Sequence, residues 1–128
     1  MSKRRKERQT LDEILQSVSD SLFPDQLGKA HVSIDSVDDV GDTPLHVLLW
    51  QGNNHGIKLL IDAGADINAI GDMGETPLHV AIANENTKAV AWLLEAGANP
   101  NIVSESGRSA KQEAELWGNE TMKLFEKL

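Results

Sequence analysis

Apolar residues along the chain fall into short stripes with helical spacing, separated by clusters of glycine, asparagine and aspartate. Leu45, Leu48 and Leu49 make one stripe, and Leu78, Ala81 and Ile82 another. Ile57, Leu60 and Ile61 make a third, Val90, Leu93 and Leu94 a fourth. Steps of three and four put each set on a single helix face. The boundaries carry matching chemistry. Thr43 and Thr76 stand where an N-cap hydroxyl is wanted, and Pro44 and Pro77 follow at the first helical position, where no amide donor is needed. Gly64 and Gly97 lie just past the second stripes, where a left-handed residue ends a helix and a Cβ would clash. Upstream, Thr10 and Glu13 form a capping-box pattern around Leu11, Ile14, Leu15, Val18 and Leu22, which predicts an N-terminal capping helix ended by Pro24.

The stripes belong to an internal repeat. Sliding the chain along itself by 33 residues superposes Gly41, Thr43, Pro44, Leu45, His46 and Val47 on Gly74, Thr76, Pro77, Leu78, His79 and Val80. Residues 41 to 68 and 74 to 101 agree at 12 of 28 positions. Helices this short are marginal alone, because nucleation is costly and few hydrogen bonds offset it. They need neighbours to stack on, as the units of a solenoid do.

The strings Gly-Asp-Thr-Pro-Leu-His (41 to 46), Gly-Glu-Thr-Pro-Leu-His (74 to 79), Leu-Leu-Ile-Asp-Ala-Gly-Ala-Asp-Ile-Asn (59 to 68) and Leu-Leu-Glu-Ala-Gly-Ala-Asn-Pro-Asn (93 to 101) resemble the ankyrin-repeat consensus. The resemblance covers residues 38 to 103 well and 104 to 128 weakly. It implies an all-α fold: a solenoid of paired short antiparallel helices joined by β-turn fingers, with a capping element at each end. Residues 1 to 9 are then a basic disordered arm and 10 to 37 a capping helix with a degenerate first repeat, since Ile34 and Asp35 align with Ile67 and Asn68. Residues 38 to 70 and 71 to 103 are full repeats. Residues 104 to 128 form a C-terminal cap, in which Gly107 and Ser109 keep the frame while Ala110, Lys111 and Gln112 replace Pro-Leu-His.

Composition narrows the function classes. Among 128 residues there is no cysteine, which removes disulfide scaffolds, thiolate nucleophiles and cysteine-bound zinc. No apolar run approaches the roughly 18 residues of a membrane-spanning helix, and no signal-peptide core follows the N-terminus, so a cytoplasmic protein is expected. The formal net charge of −8 divides unevenly. Lys3, Arg4, Arg5, Lys6 and Arg8 against Glu7 give the arm +4, and the remaining residues sum to −12.

Chemistry-bearing constellations are scarce. His46 and His79 occupy one repeat position, about 10 Å apart at the usual spacing of packed helices, too far to share a metal. They are expected to hydrogen-bond the turn before each helix, while His31 and His55 are expected at the solvated surface. Asp35, Asp38, Asp39 and Asp42 do not follow the spacing of a calcium loop. Asn119-Glu120-Thr121 matches a glycosylation sequon by pattern only. No nucleotide, phosphate-loop, zinc-protease or nucleophile-elbow motif occurs, so no catalytic, metal or cofactor residue is assigned and no small-molecule substrate is expected.

The resemblance implies that recognition uses the finger tips and the exposed side of each first helix. By position the tips are Asp39, Val40 and Asp42, then Asp72, Met73 and Glu75, then Glu105, Ser106 and Arg108. The helix positions are Trp50 and Gln51, Ala83 and Asn84, Leu116 and Trp117. Acids dominate the tips and raise the encounter rate with a basic partner. Trp50 and Trp117 are of the residue type most enriched in binding hot spots, whereas Trp92 on a second helix is expected to pack. The expected function is a non-enzymatic, monomeric module that binds a basic protein on an acidic concave face, with its small size favouring a stoichiometric inhibitor. Proteins similar to this sometimes serve as immunity proteins that block a bacterial toxin. The alternative is a nuclear or nucleic-acid-tethered adaptor working through Lys3 to Arg8. The body's negative charge opposes nucleic acid as the main ligand.

Overall fold

The structure, a computed structural model, describes residues 9–26, 30–118 and 123–125. Among them are seven named helices and no strand beyond an isolated antiparallel bridge between Val103 and Ser109. The chain opens with α1 (Leu11–Ser17), whose capping box is formed as its sequence predicts. Thr10 N–H donates to Glu13 Oε1 at 2.8 Å, and Glu13 N–H donates to Thr10 Oγ1 at 3.2 Å.

The single capping helix expected up to Pro24 is in fact two. Ser17 Oγ donates to the Ile14 carbonyl at 2.6 Å, the acceptor that the next turn would need. Val18 N–H turns instead to the Leu15 carbonyl at 3.2 Å, and the helix stops. A second short piece, α2 (Ser19–Leu22), follows, and a 3₁₀ turn at Pro24–Gln26 ends the segment. Ile14 and Leu15 in α1, Val18 at the junction and Leu22 in α2 are all buried, so the break leaves the apolar face intact.

Two helical pairs follow, α3 (Pro44–Gln51) with α4 (Asn54–Asp62) and α5 (Pro77–Ala83) with α6 (Thr87–Glu95), and then α7 (Ala110–Trp117). Helices α3, α5 and α7 touch in series, α4 packs on α6, and α1 and α2 cover α4 and α3. One core of buried residues runs through the stack, from Ile14 to Phe125. Leu45, Leu48, Leu49, Ile57, Leu60, Leu78, Ile82 and Leu93 are at most 1 % exposed. Each such burial contributes roughly 1.5–3 kcal/mol, which the short helices cannot supply by themselves.

The caps follow the repeat. Thr43 and Thr76 accept from the backbone N–H of His46 and His79, and Pro44 and Pro77 occupy the first helical position. Gly64 and Gly97 are left-handed at φ +94 and +100, past the ends of α4 and α6. In the third unit Ser109 and Gln112 rebuild the same box, and among the described side chains of α7 the buried ones are the small Ala110 and Ala114. The basic arm lies outside the described residues except for Gln9, whose carbonyl is held by His55. The sequon at 119 to 121 also lies outside them.

Candidate functional site

Three hairpin fingers precede α3, α5 and α7, and their closing bonds repeat at the same positions. Asp38 N–H donates to the Asp42 carbonyl at 3.0 Å, Gly71 N–H to that of Glu75 at 2.9 Å, and Ser104 N–H to that of Arg108 at 3.0 Å. Left-handed glycines Gly41, Gly74 and Gly107 close each turn. In the second finger Met73 is left-handed too, at φ 59, an uncommon state for a side-chain-bearing residue. Its carbonyl accepts the Glu105 N–H of the third finger at 2.9 Å, which ties the conformation into the stack.

The histidines do more than cap. His46 Nδ1 accepts the Thr43 N–H at 3.1 Å, so its proton sits on Nε2 and is donated to the Glu75 carbonyl at 3.0 Å. His79 repeats this with Thr76 at 3.1 Å and the Arg108 carbonyl at 3.1 Å. Each imidazole thus bolts its own helix to the next finger, a link the local sequence pattern does not reveal. Burial lowers the pKa of His46, although the Glu75 carbonyl and then Asp42, Asp38 and Asp66 pull the other way. The ring is therefore neutral at neutral pH. Gln112, standing where a third histidine would be, makes the local bonds with Ser109 and, among the described residues, none to a following finger.

His55 corrects an expectation. It is half-buried rather than solvated, and its Nε2–H donates to the Gln9 carbonyl at 3.0 Å, because the capped start of α1 lies against α4. His31 is exposed.

The residues expected to meet a partner divide into two groups. Asp39, Val40, Asp72, Met73, Glu105, Ser106 and Arg108 are exposed at the tips, and Trp50, Gln51, Ala83 and Leu116 are exposed on the first helices. Asp42 and Asn84 are instead engaged within the fold. Asp42 Oδ1 accepts the Asp72 N–H at 2.9 Å, and Asn84 Nδ2 donates to the Leu49 carbonyl at 2.9 Å. Asp38 is occupied as well, accepting from Val40 and Asp42 N–H at 3.0 and 2.9 Å. Arg108 pairs with Glu113 at 3.4 Å. The Trp117 side chain lies outside the described ones. Trp92 is half-buried against the core, with Lys58 Nζ 5.8 Å from its ring centroid.

One row escaped the sequence reading. Val37, Ile70 and Val103 occupy one repeat position and are 54 %, 51 % and 57 % exposed. The signal was available as a third apolar set at offset 33 that no helix stripe explains.

A pocket of about 350 Å³ opens between the first two fingers and α3. Trp50, Met73, His46 and the acids Asp42, Asp72 and Glu75 line it over the buried Val80. Burial raises the pKa of Glu75; His79 opposes the shift, and Glu113, Asp72 and Asp42 add to it. No cluster of three or more His, Asp or Glu able to hold a metal occurs among the described residues, and none of their helices is long and apolar enough to cross a membrane.

A helical stack of period 33 with hairpin fingers and threonine–proline caps defines a repeat interaction module. The family model for ankyrin repeats matches residues 14–104 in three copies, from α1 to the third finger, and the chain belongs to the ankyrin-repeat family. No curated protein matches the chain. Ankyrin repeats are protein-binding modules and are in general not enzymes.

Proposed function

We propose that the finger face of this chain holds a basic protein and acts by occluding it, as a stoichiometric inhibitor. The observation that carries the reading is the pairing of charge and apolar surface on one rigid edge. Asp39, Asp72 and Glu105 are exposed there beside Val37, Ile70 and Val103, with Trp50 behind them on α3. Exposed acids speed encounter with a cationic surface, while apolar and aromatic side chains supply the slow dissociation. An immunity protein that blocks a basic toxic nuclease is one form such an inhibitor takes.

The test is affinity capture from lysate of the native host, followed by mass spectrometry, with the chain and an Asp39→Asn/Asp72→Asn/Glu105→Gln variant. Asp42 is left unchanged, because its carboxylate also holds the second finger. A basic protein captured by the chain and lost by the variant supports the reading. Partners dominated by nucleic-acid-associated proteins, unaffected by the variant but lost on deleting residues 1 to 8, would replace it with a tethered adaptor working through Lys3 to Arg8.

A further inference from the structure

We propose that the pocket between the first two fingers and α3 seats one arginine side chain of the partner, its guanidinium lying on the Trp50 indole and donating to the Asp72 and Glu75 carboxylates. The proposal rests on the reading of the finger face as a surface for a basic protein and assigns that partner its anchor.

Three observations converge. The first is shape: about 350 Å³ suits one long side chain and not a helix or strand. The second is an aromatic wall. Trp50 is 52 % exposed and makes no hydrogen bond or ring contact among the described residues, which leaves its indole available to a cation. The third is acidic charge without a bonded partner. The carboxylates of Asp72 and Glu75 form no hydrogen bond or ion pair among the described residues, and the nearby Arg108 is engaged by Glu113.

The surroundings favour a cation over any other occupant. Asp42 adds a further negative charge at the wall, and His46 adds no positive one, since its Nδ1 is committed as an acceptor to Thr43 N–H. A metal is disfavoured because these acids do not converge into a ligand set. Arginine fits better than lysine: a planar guanidinium stacks on an indole, reaches two carboxylates with fixed N–H groups, and gives up its water more readily than an ammonium. Met73 supplies a polarisable edge for the methylene stem, and its carbonyl is fixed to the third finger. The pocket is therefore formed before anything enters it, which lowers the ordering cost of binding.

Capped Gly-Arg-Gly, Gly-Lys-Gly and Gly-citrulline-Gly peptides test this on the intact ¹⁵N-labelled chain, read at the three tryptophan indole N–H resonances and assigned with Trp50→Phe. The expected result is a saturable shift of the Trp50 resonance with the arginine peptide, weaker binding of the lysine peptide, none of the uncharged citrulline peptide, and a still Trp92. Asp72→Asn/Glu75→Gln should weaken arginine binding by about tenfold or more, equivalent to about 1.4 kcal/mol. Should the double variant unfold, Asp72→Asn alone, altering an exposed side chain, carries the test. Equal binding of citrulline, an unchanged affinity in the variant, or no saturable shift at Trp50 overturns the proposal. A chain that still captures its basic partner through the finger acids, yet shows no arginine-dependent shift, loses the pocket assignment alone. A capture indifferent to the finger substitutions overturns the face reading however the peptide behaves.

Discussion

Gly71 sits at the first position of the second finger, where the other two fingers have Asp38 and Ser104. Its φ of −105 is open to any residue, so conformational freedom is not what keeps a glycine there. Space is the reason. A Cβ at this position would overlap Asp42 Oδ1 and come within 2.8 Å of His46 Nε2, the two groups that clamp the first repeat to the second finger. Gly71→Ala should therefore displace both. Overpacking costs about 1–3 kcal/mol. Loss of the charge-assisted bond from Asp72 N–H adds about 1.5 kcal/mol at the low end appropriate to an exposed donor. The expected destabilisation is about 2.5–4.5 kcal/mol, read as a lower urea midpoint by tryptophan fluorescence. Gly64→Ala is the control: at φ +94 with nothing within 4 Å of a new Cβ, it meets backbone strain alone, about 1–2 kcal/mol. Combining Asp42→Ala with Gly71→Ala removes one partner of the clash, so the pair should fall short of additivity by about 0.5–3 kcal/mol. A Gly71→Ala midpoint above that of Gly64→Ala, or strict additivity of the pair, would refute the close-approach argument.

Acid should loosen the stack through His46. Its folded pKa lies below the ordinary 6.5, so the unfolded chain binds the proton more tightly; the stabilisation is complete above 6.5 and disappears as pH falls through the folded value. His46→Gln should flatten that part of the stability–pH curve, and an unchanged curve would assign the acid transition elsewhere. Glu75 works in the opposite direction. Its folded pKa lies above 4.5, so stability falls as pH rises from there through the folded value, and Glu75→Gln should gain on the parent chain as pH rises. Parallel urea-midpoint curves for the two would count against a strained carboxylate. Glu85 is left-handed at φ 55, in the place of Gly52 one repeat earlier. Glu85→Gly should stabilise by up to about 1 kcal/mol in a thermal melt, and a loss would mean the side chain has a role in the fold.

What was legible in the sequence is what depends on neighbours within a few residues. The caps at Thr10, Thr43 and Thr76, the glycines past α4 and α6 and the stripes of the core are local or periodic, and the structure keeps them. The bolts between repeats were not legible. A histidine three residues after its cap announces the local bond, but its second bond goes to a carbonyl 29 residues away, and every residue carries a carbonyl. The same reasoning applies to Asp42, which looks like one more tip acid and reaches 30 residues ahead to Asp72 N–H. The break at Val18 turned on Ser17, whose hydroxyl takes a carbonyl that helical spacing would reserve for the backbone. Within the face, residue types indicated charge, whereas only the three-dimensional arrangement brings Trp50 from α3 against the acids of the following finger.

Those bolts have an electrostatic consequence. His46, His79, Asp42 and the Met73 carbonyl fix each finger to its neighbour, so the exposed acids Asp39, Asp72 and Glu105 cannot move apart to relieve their repulsion. In a loose loop the side chains would spread and the charge would cost little; on a clamped edge the repulsion persists in the folded state and is weaker in the unfolded chain. Added salt shortens the Debye length to about 8 Å at physiological ionic strength and about 3 Å at 1 M, which screens that repulsion. Sodium chloride should then raise the thermal midpoint of the chain. The Asp39→Asn/Asp72→Asn/Glu105→Gln variant should start higher at low salt and respond less steeply. An equal salt slope in both chains would place the repulsion elsewhere in the acidic body. A smaller slope in the variant would tie it to the face on which a cationic partner would replace salt as the neutralising charge.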